Sequence, residues 1–341
     1  MEWIVARLLT FIATLLIAGA CAVGLLIIRR ANIDDAMRRT IARESALVGI
    51  GASLLLIPAS LLRLADQVMA LRSPGDPLIA GLRVLLTSTM WGTGFLSQGS
   101  ALLVAATGLT LAWRAPHDKW RWAIAAIGAF GLCAAPALQG HAIGSEELTA
   151  LAVSADVAHV FGASLWLGTL GVIAWLGMSV PDADGIVASE RAAQADARLR
   201  ILVPLVPPIA LPGAALLIGS GVIASVMHLR ALSDLWSDEW GRYVLAKSIA
   251  ACVILTLGAI NWRRLGPRMA LSTSSSSMRK SLITELCVAL LILLITAVLV
   301  VTPLPGESDG AAGLQLEPRQ LGVSRSLPAV HWMLAYLQAG T

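Results

Sequence analysis

The sequence predicts an all-α fold, namely a polytopic membrane protein with about eight transmembrane helices packed in one bundle. The 341 residues are 57% hydrophobic and only 13% charged, whereas a soluble domain is about half apolar and a quarter charged. The mean hydropathy is +0.78. Apolar runs of about 20 residues, long enough to cross a bilayer as a helix, recur along the whole chain. These observations exclude a soluble globular domain.

Each span is placed by its apolar run. The first run continues past Cys21 and lacks a basic start, so we expect a retained helix rather than a cleaved signal peptide. Polar or charged stretches separate the later runs. The expected spans are residues 3–28, 45–65, 94–113, 122–139, 151–177, 202–228, 243–262 and 281–302.

Basic residues set the expected orientation. Most of the 25 lysines and arginines lie in the loops after spans 1, 3, 5 and 7, and few lie near Leu71, Gly144 and Ser233 or after Pro303. The positive-inside rule makes the arginine-rich loops cytoplasmic, so both termini are expected in the periplasm. Because these loops account for the net charge of +4, no nucleic-acid partner is expected.

Two regions lie outside the expected spans. Residues 66–93 are too polar and too broken to cross a membrane, so we expect them along the outer face, partly as an interfacial helix. The domain division is a transmembrane bundle over 1–302 and a periplasmic tail over 303–341. The tail ends in the amphipathic stretch SLPAVHWMLAYLQ, whose pattern favours docking on membrane lipid.

Span 6 begins with a cluster of prolines. An interior proline removes a backbone donor and clashes with the preceding turn, so this half of the span is expected to be kinked or unwound. Such a break is tolerated at membrane depth where it is buried in protein or lines a cavity. Both a substrate path and a packed kink fit this expectation. The prolines are Pro204, Pro207, Pro208 and Pro212.

Span 5 carries two ionisable residues, Asp156 and His159, followed by Trp166. The successive spacings of three and seven residues place all three side chains on one face of a helix. An ionisable residue inside a span costs roughly 2.5–3.5 kcal/mol. A functional role for Asp156 and His159 is therefore favoured over a pair that only locks helix packing. The sequence leaves open whether Trp166 lines a path or closes the floor of a site.

The histidines indicate a metal site on the periplasmic side. His141 ends span 4, His228 ends span 6, and His159 lies roughly 12 Å into span 5 at 1.5 Å per residue. Imidazole together with thioether is a donor set that copper prefers. A histidine at a span end is also common as an interfacial residue, and methionine as a packing residue. The candidate metal site comprises His141, His159, Asp156, His228, Met227 and Met90.

Other residues in the spans have simpler expected roles. Lys247, near the outer end of span 7, is expected to snorkel towards the interface, and the alternative is a pair with Asp156. The four cysteines lie in apolar runs without a CxxC pair and are expected to be packing residues. Small residues in spans 5 and 6 permit close helix approach. They are Gly162, Ala163, Gly168, Gly171, Gly213, Gly219 and Gly221.

The stretch ADVAHVFGASLWLGTL at 155–170 resembles the signature helix of the copper resistance protein D family, in which Asp, His, Trp and Gly recur. The stretches QGHA at 139–142, STMWG at 88–92 and GRYVLAKSIAACVILTLGAINWRRLGPR at 241–268 are also similar to that family's pattern. The resemblance covers essentially all the spans. It departs from the family at Trp236–Trp240 and Asn261–Arg263, and the tail beyond Pro303 has no counterpart.

The resemblance implies a bacterial inner-membrane protein of about eight spans, associated with copper resistance and with copper import from the periplasm. Carried over by residue, it implies that His141 and His159 are copper ligands and that Asp156 is their partner. The oxidation state of the copper ion is left open, as is the oligomeric state.

Three functions fit the sequence. The first is a copper transporter, in which any transport is passive, gradient-coupled or partner-dependent, because no nucleotide-binding loop or phosphorylated aspartate is visible. The second is a haem-binding electron-transfer protein, which needs two histidines at matched depth. The third is a non-transporting membrane partner of a periplasmic copper chaperone. None of the three requires enzymatic activity.

Overall fold

A computed structural model describes residues 2–29, 33–71, 77–139, 149–178, 188–229, 231–265 and 276–302. The described residues form helices joined by turns, with eight helices long and apolar enough to cross a membrane. Each of them corresponds to one of the eight expected spans, so the all-α membrane fold is confirmed. The sequence-based orientation, with both termini in the periplasm, stays a prediction, and the 303–341 tail with its amphipathic end lies outside the described residues.

The helices follow the apolar runs, and two of the spans contain a π-helical turn. Span 5 consists of α6 and α7 joined by a π-helical turn at Ser164–Gly168, and a second π-helical turn at Asn261–Leu265 ends span 7. The helices are α1 (Glu2–Ile27), α2 (Asp35–Leu71), α3 (Leu78–Ser88), α4 (Met90–Arg114), α5 (Lys119–Ala134), α6 (Thr149–Ala163), α7 (Thr169–Met178), α8 (Ala188–Leu202), α9 (Pro207–His228), α10 (Asp234–Ser237), α11 (Glu239–Ile260) and α12 (Ser276–Leu299).

The second span is longer than the sequence indicated. We expected residues 45–65, but α2 is a continuous helix of 37 residues from Asp35 to Leu71. The charged residues before position 45 are compatible with a helix that continues beyond the apolar run. Residues 66–71 therefore belong to this helix, which corrects their expected place in an outer-face segment. The expected short helix after it is present as α3.

The proline cluster of span 6 breaks the helix where the sequence indicated. A 3₁₀ turn at Val203–Leu205 separates α8 from α9, and Pro207 and Pro208 then occupy the first turn of α9, where a missing N–H costs little. Only Pro212 lies inside a helix. Because Leu205 is buried in the main apolar core, this geometry supports the packed kink over the substrate path.

Helix α1 lies at the centre of the bundle. It packs against α2 and α5, against span 5 and against α12. Its backbone reaches van der Waals contact with the π-helical turn of span 5, because Gly19 and Gly168 face each other and a methyl group on either would collide with the partner's backbone. Cys21 and Cys133 are buried in the core, and Cys252 and Cys287 are exposed on the bundle surface. All four are free thiols.

An ion pair ties α8 to the first part of α2. The Arg198 guanidinium donates to both carboxylate oxygens of Glu44, at 2.7 and 3.1 Å. The two side chains are only 11% and 25% exposed, and a paired, bidentate geometry of this kind is stronger than an exposed ion pair. The pair fixes α8 against the bundle at the end that carries Arg29, Arg114 and Lys119, which we call the arginine-rich end.

We expect Arg198→Ala to destabilise the protein by about 1.5–3 kcal/mol, because it leaves the Glu44 carboxylate without its charged donor. A lower midpoint of thermal unfolding in detergent would show this. Lys280→Ala is the matched control, since Lys280 is exposed at the same end of the bundle, and it should leave the midpoint unchanged. Equal midpoints for the two variants would contradict a stabilising role for the ion pair.

Candidate metal site

Three span helices meet at the end of the bundle opposite the arginine-rich end. Helix α6 packs closely on α9, where Gly162 faces Gly213 and an added methyl group would reach the backbone of the other helix. This confirms the expected close approach for that pair, whereas Gly219 faces open space. Helix α11 contributes the side chain of Lys247 to the same place. The small residues thus allow side chains of α6, α9 and α11 to contact one another.

His159 has a hydrogen-bonding partner for each ring nitrogen. Its Nδ1 lies 3.1 Å from Ser220 Oγ. The Ser220 hydroxyl donates its single hydrogen to the backbone of α9, with the Leu216 carbonyl oxygen 2.6 Å away, so Ser220 Oγ must accept from Nδ1–H. This network assigns the proton of a neutral His159 to Nδ1 and leaves a lone pair on Nε2.

Lys247 fills the space in front of that lone pair. Its Nζ lies 3.3 Å from His159 Nε2, and its ammonium group interacts electrostatically with Asp156. Of the two expectations for Lys247, the structure favours an inward orientation, towards His159 and Asp156, over snorkelling. The side chain points inward, where His159 Nε2 provides an acceptor for the ammonium group.

Asp156 also interacts electrostatically with His228 at the end of α9. His228 Nδ1 lies 2.7 Å from the Ala224 carbonyl oxygen, which can only accept, so this nitrogen also carries the proton. The His228 ring packs against Trp240 of α11, with the ring centroids 5.8 Å apart. In the neutral form of each ring, His159 and His228 therefore both carry the lone pair on Nε2.

The remaining expected ligands are placed differently. Met227 is half-buried next to His228, whereas Met90 is 49% exposed at the start of α4, which packs on α2, α3 and α5. His141 lies outside the described residues. Within the described part of the chain, no three His, Cys, Asp or Glu side chains converge closely enough to hold a metal ion. The structure thus brings Asp156, His159 and His228 into one neighbourhood, and their role as ligands stays a prediction.

An apolar layer lies beneath this group of polar side chains. Trp166, in the π-helical turn, is only 6% exposed and packs among residues of α1, α9, α11 and α12. On α11, Ala250 and Ile254 follow Lys247 on the same face and belong to this layer. This burial favours the interpretation of Trp166 as the floor of the candidate site over one in which it lines a path. The layer consists of Leu15, Trp166, Leu167, Ala210, Ala214, Ala250, Ile254, Ala289 and Ile292.

A second polar cluster lies on the far side of the apolar layer, and the sequence analysis missed it. Asn261 donates its side-chain amide to Glu285, and Ser281 Oγ donates to Asn261 Oδ1 at 2.6 Å. Glu285 is only 4% exposed. Asn261 is 14 residues beyond Lys247, or about 21 Å along the helix axis. A single acidic residue in the apolar run of span 8 was the available signal.

A hydrogen-bonded chain between α2, α4 and the end of α5 was also not foreseen. Arg63 donates to Gln139 Oε1 at 2.7 Å, and Gln139 donates to Gln98 Oε1 at 3.0 Å. Gln98 in turn donates to Ser60 Oγ at 2.9 Å. Gln139, which links Arg63 to Gln98 in this chain of hydrogen bonds, is two residues before His141 in the sequence. Glutamine inside the fourth helix was the sequence signal.

Comparison with known families accounts for most of the chain. The family model described as "Copper resistance protein D-like, N-terminal domain" matches residues 1–151, and the model described as "Copper resistance protein D" matches residues 207–299. The chain belongs to the copper resistance protein D family. With eight apolar helices among its described residues, this member of the family is a copper-related, multi-pass protein of the inner membrane. The second match covers α9, α11 and α12, and so includes His228 and Lys247.

A curated relative is similar over much of the chain. The chain is 24% identical over 249 residues to the "Copper transport protein CutJ" of Bacillus subtilis (strain 168). The aligned part is 72% of this chain and 43% of the relative. The chain thus spans less than half the length of that relative. No solved structure matches the chain.

Proposed function

We propose that this protein binds copper between Asp156, His159 and His228 and carries it across the membrane from the periplasm to the cytoplasm. The observation that supports this most strongly is the hydrogen bonding of the two imidazoles. Both rings have Nδ1 as their donor, so each ring in its neutral form keeps the Nε2 lone pair for a cation. Copper is the cation that the family and the relative point to.

The donor chemistry fits a copper ion. Imidazole nitrogen serves both Cu⁺ and Cu²⁺, and a nearby thioether favours Cu⁺. Met227, beside His228 on α9, and His141 are the residues from which a fuller ligand set would be drawn. The Asp156 carboxylate adds negative charge that attracts a cation, and Ser220 orients His159 through the hydrogen bond to Nδ1, as outer partners of metal-bound imidazoles do.

Transport through this site requires movement of the helices. The apolar layer around Trp166 offers no polar atom that could replace a copper ligand, and about 21 Å of α11 separates Lys247 from Asn261. We propose that the ion is held above the layer and released below it when the layer opens. Import is the proposed direction, because the expected orientation puts Asp156 and His159 at the periplasmic side.

A haem-binding protein is the alternative function, and an absorption spectrum distinguishes it from a copper-binding protein. Copper content and the absorption spectrum of the detergent-purified full chain provide the test. We expect copper to bind and no Soret band to appear. A strong Soret band together with iron would replace the copper proposal with electron transfer.

Copper uptake into proteoliposomes tests transport against the third function, a non-transporting partner of a periplasmic copper chaperone. A copper-sensitive dye inside the vesicles should report faster uptake than in protein-free vesicles. Asp156→Asn should lower the uptake rate, whereas Asp118→Asn, on the turn before α5 at the arginine-rich end, should not. Copper binding without uptake would favour the partner role.

A further inference from the structure

Lys247 occupies the place that a metal ion would take. Its Nζ lies 3.3 Å from His159 Nε2, the nitrogen whose lone pair is free. A metal–imidazole bond is about 2 Å long and lies along the same lone pair. A metal ion on His159 would therefore lie within about 2 Å of the present Nζ position. The ammonium group and the metal ion cannot occupy the site together.

The charge of Lys247 also replaces that of a metal ion. In the observed arrangement its ammonium group approaches His159 and interacts electrostatically with Asp156. A buried carboxylate without a counter-ion is costly inside a membrane span. Lys247 balances Asp156 in the same way that a bound monovalent cation would.

Resting on the copper-binding function proposed above, we propose that Lys247 is a tethered competitor of copper. Its ammonium group occupies the site in the metal-free protein and must withdraw from His159 Nε2 before the ion binds. The net free energy of copper binding is then the free energy gained when the ligands bind the ion, less the free energy needed to move the lysine away from His159. Lys247 thereby sets how readily the site takes copper and how readily it gives copper up.

A purely structural role for Lys247 predicts a different outcome on substitution. If the lysine only neutralised Asp156 and held α11 to α6, its removal would loosen the site and weaken copper binding. If it competes with copper, its removal leaves Asp156 and the His159 lone pair free for the ion, and binding becomes tighter. The sign of the change in affinity therefore separates the two roles.

The test measures Cu⁺ affinity of the full-length protein in detergent, with bicinchoninate as the competing chelator under reducing, anaerobic conditions. Lys247→Met keeps the length of the side chain and removes its charge, and should tighten Cu⁺ binding by about tenfold or more, because a positive charge within a few ångströms of the ion is removed. Lys247→Arg keeps the charge and should not tighten binding. Lys280→Met, at the exposed surface of α12, is the matched control and should equal the wild type.

A second measurement applies even if Lys247→Met folds poorly. Lys247→Ala leaves space for the missing part of the side chain, which corresponds to propylammonium. Added propylammonium chloride should weaken Cu⁺ binding by Lys247→Ala severalfold and leave the wild type unaffected. Potassium chloride at the same concentration should have no effect on either protein.

Failure of this inference is distinguishable from failure of the proposed copper site. If His159→Ala loses Cu⁺ binding while Lys247→Met binds no more tightly than the wild type, the copper site stands and competition by Lys247 is overturned. If neither substitution changes Cu⁺ binding, both proposals are wrong. If Lys247→Ala binds equally with and without propylammonium, competition is also overturned.

Discussion

His159→Ala is expected to lower copper affinity by about 100-fold or more. The substitution removes the Nε2 atom, whose lone pair is proposed to bind the ion. Loss of a residue that only orients a metal ligand lowers metal affinity by about 10–100-fold. Loss of the ligand itself should therefore lower the affinity by about 100-fold or more. Equilibrium titration of the purified protein with a competing chelator would measure the change.

Two other histidines provide controls for this measurement. His117 lies at the arginine-rich end with a side chain that is 72% exposed, and His117→Ala should bind copper as the wild type does. His331, in the tail, should also matter less than His159. Equal affinities for His159→Ala and His117→Ala would remove His159 from the site.

Gly168→Ala is expected to destabilise the bundle by about 3 kcal/mol, near the upper end of overpacking costs. The added methyl group would meet the Leu15 carbonyl group on α1. A backbone group cannot move aside as a flexible side chain can. The midpoint of thermal unfolding in detergent should fall by about 5–10 °C, by the scaling of free energy with melting temperature in larger domains.

Gly51→Ala separates this packing effect from the helix preference of alanine. Gly51 lies within α2, and nothing lies within 4 Å of a methyl group added there. Alanine is the stronger helix former by about 1 kcal/mol, so Gly51→Ala should be neutral or stabilising. If both variants shifted the midpoint alike, the close contact between α1 and span 5 would not explain the result.

The membrane fold could be predicted from the sequence because hydropathy alone determines which segments cross the bilayer. All eight spans were found in this way, and so was the break at the prolines before α9. The ends of α2 were misplaced because a helix can continue into water after its apolar run ends. Charged residues such as Arg38 and Arg43 marked the end of the apolar run and not the end of the helix.

Part of the candidate site was also visible in the sequence. Asp156 and His159 were found because ionisable residues inside a span are costly. The direction of Lys247 could not be predicted, since a lysine one or two turns from a helix end can point outward or inward. Ser220 gave no signal, because a serine in an apolar helix usually bonds only its own backbone. Contacts between α6, α9 and α11 are needed to place both residues.

Glu285 was missed for a different reason. A window of 18 residues that contains one acidic residue still has the hydropathy of a membrane span, and the last span is the most hydropathic of the eight. Its hydrogen bond to Asn261 depends on which helices pack together. The sequence marks both residues as polar and does not reveal that they meet.

The π-helical turn at Ser164–Gly168 has a consequence for how relatives should be aligned with this chain. A π turn contains about one residue more than an α turn, so it rotates the part of span 5 that carries Asp156 and His159 by roughly 100° relative to the part after Gly168. A relative with a regular α-helix here would preserve the same facing side chains only with a one-residue gap in the alignment between positions 164 and 168. An alignment without that gap would pair His159 with a residue on the wrong side of the helix.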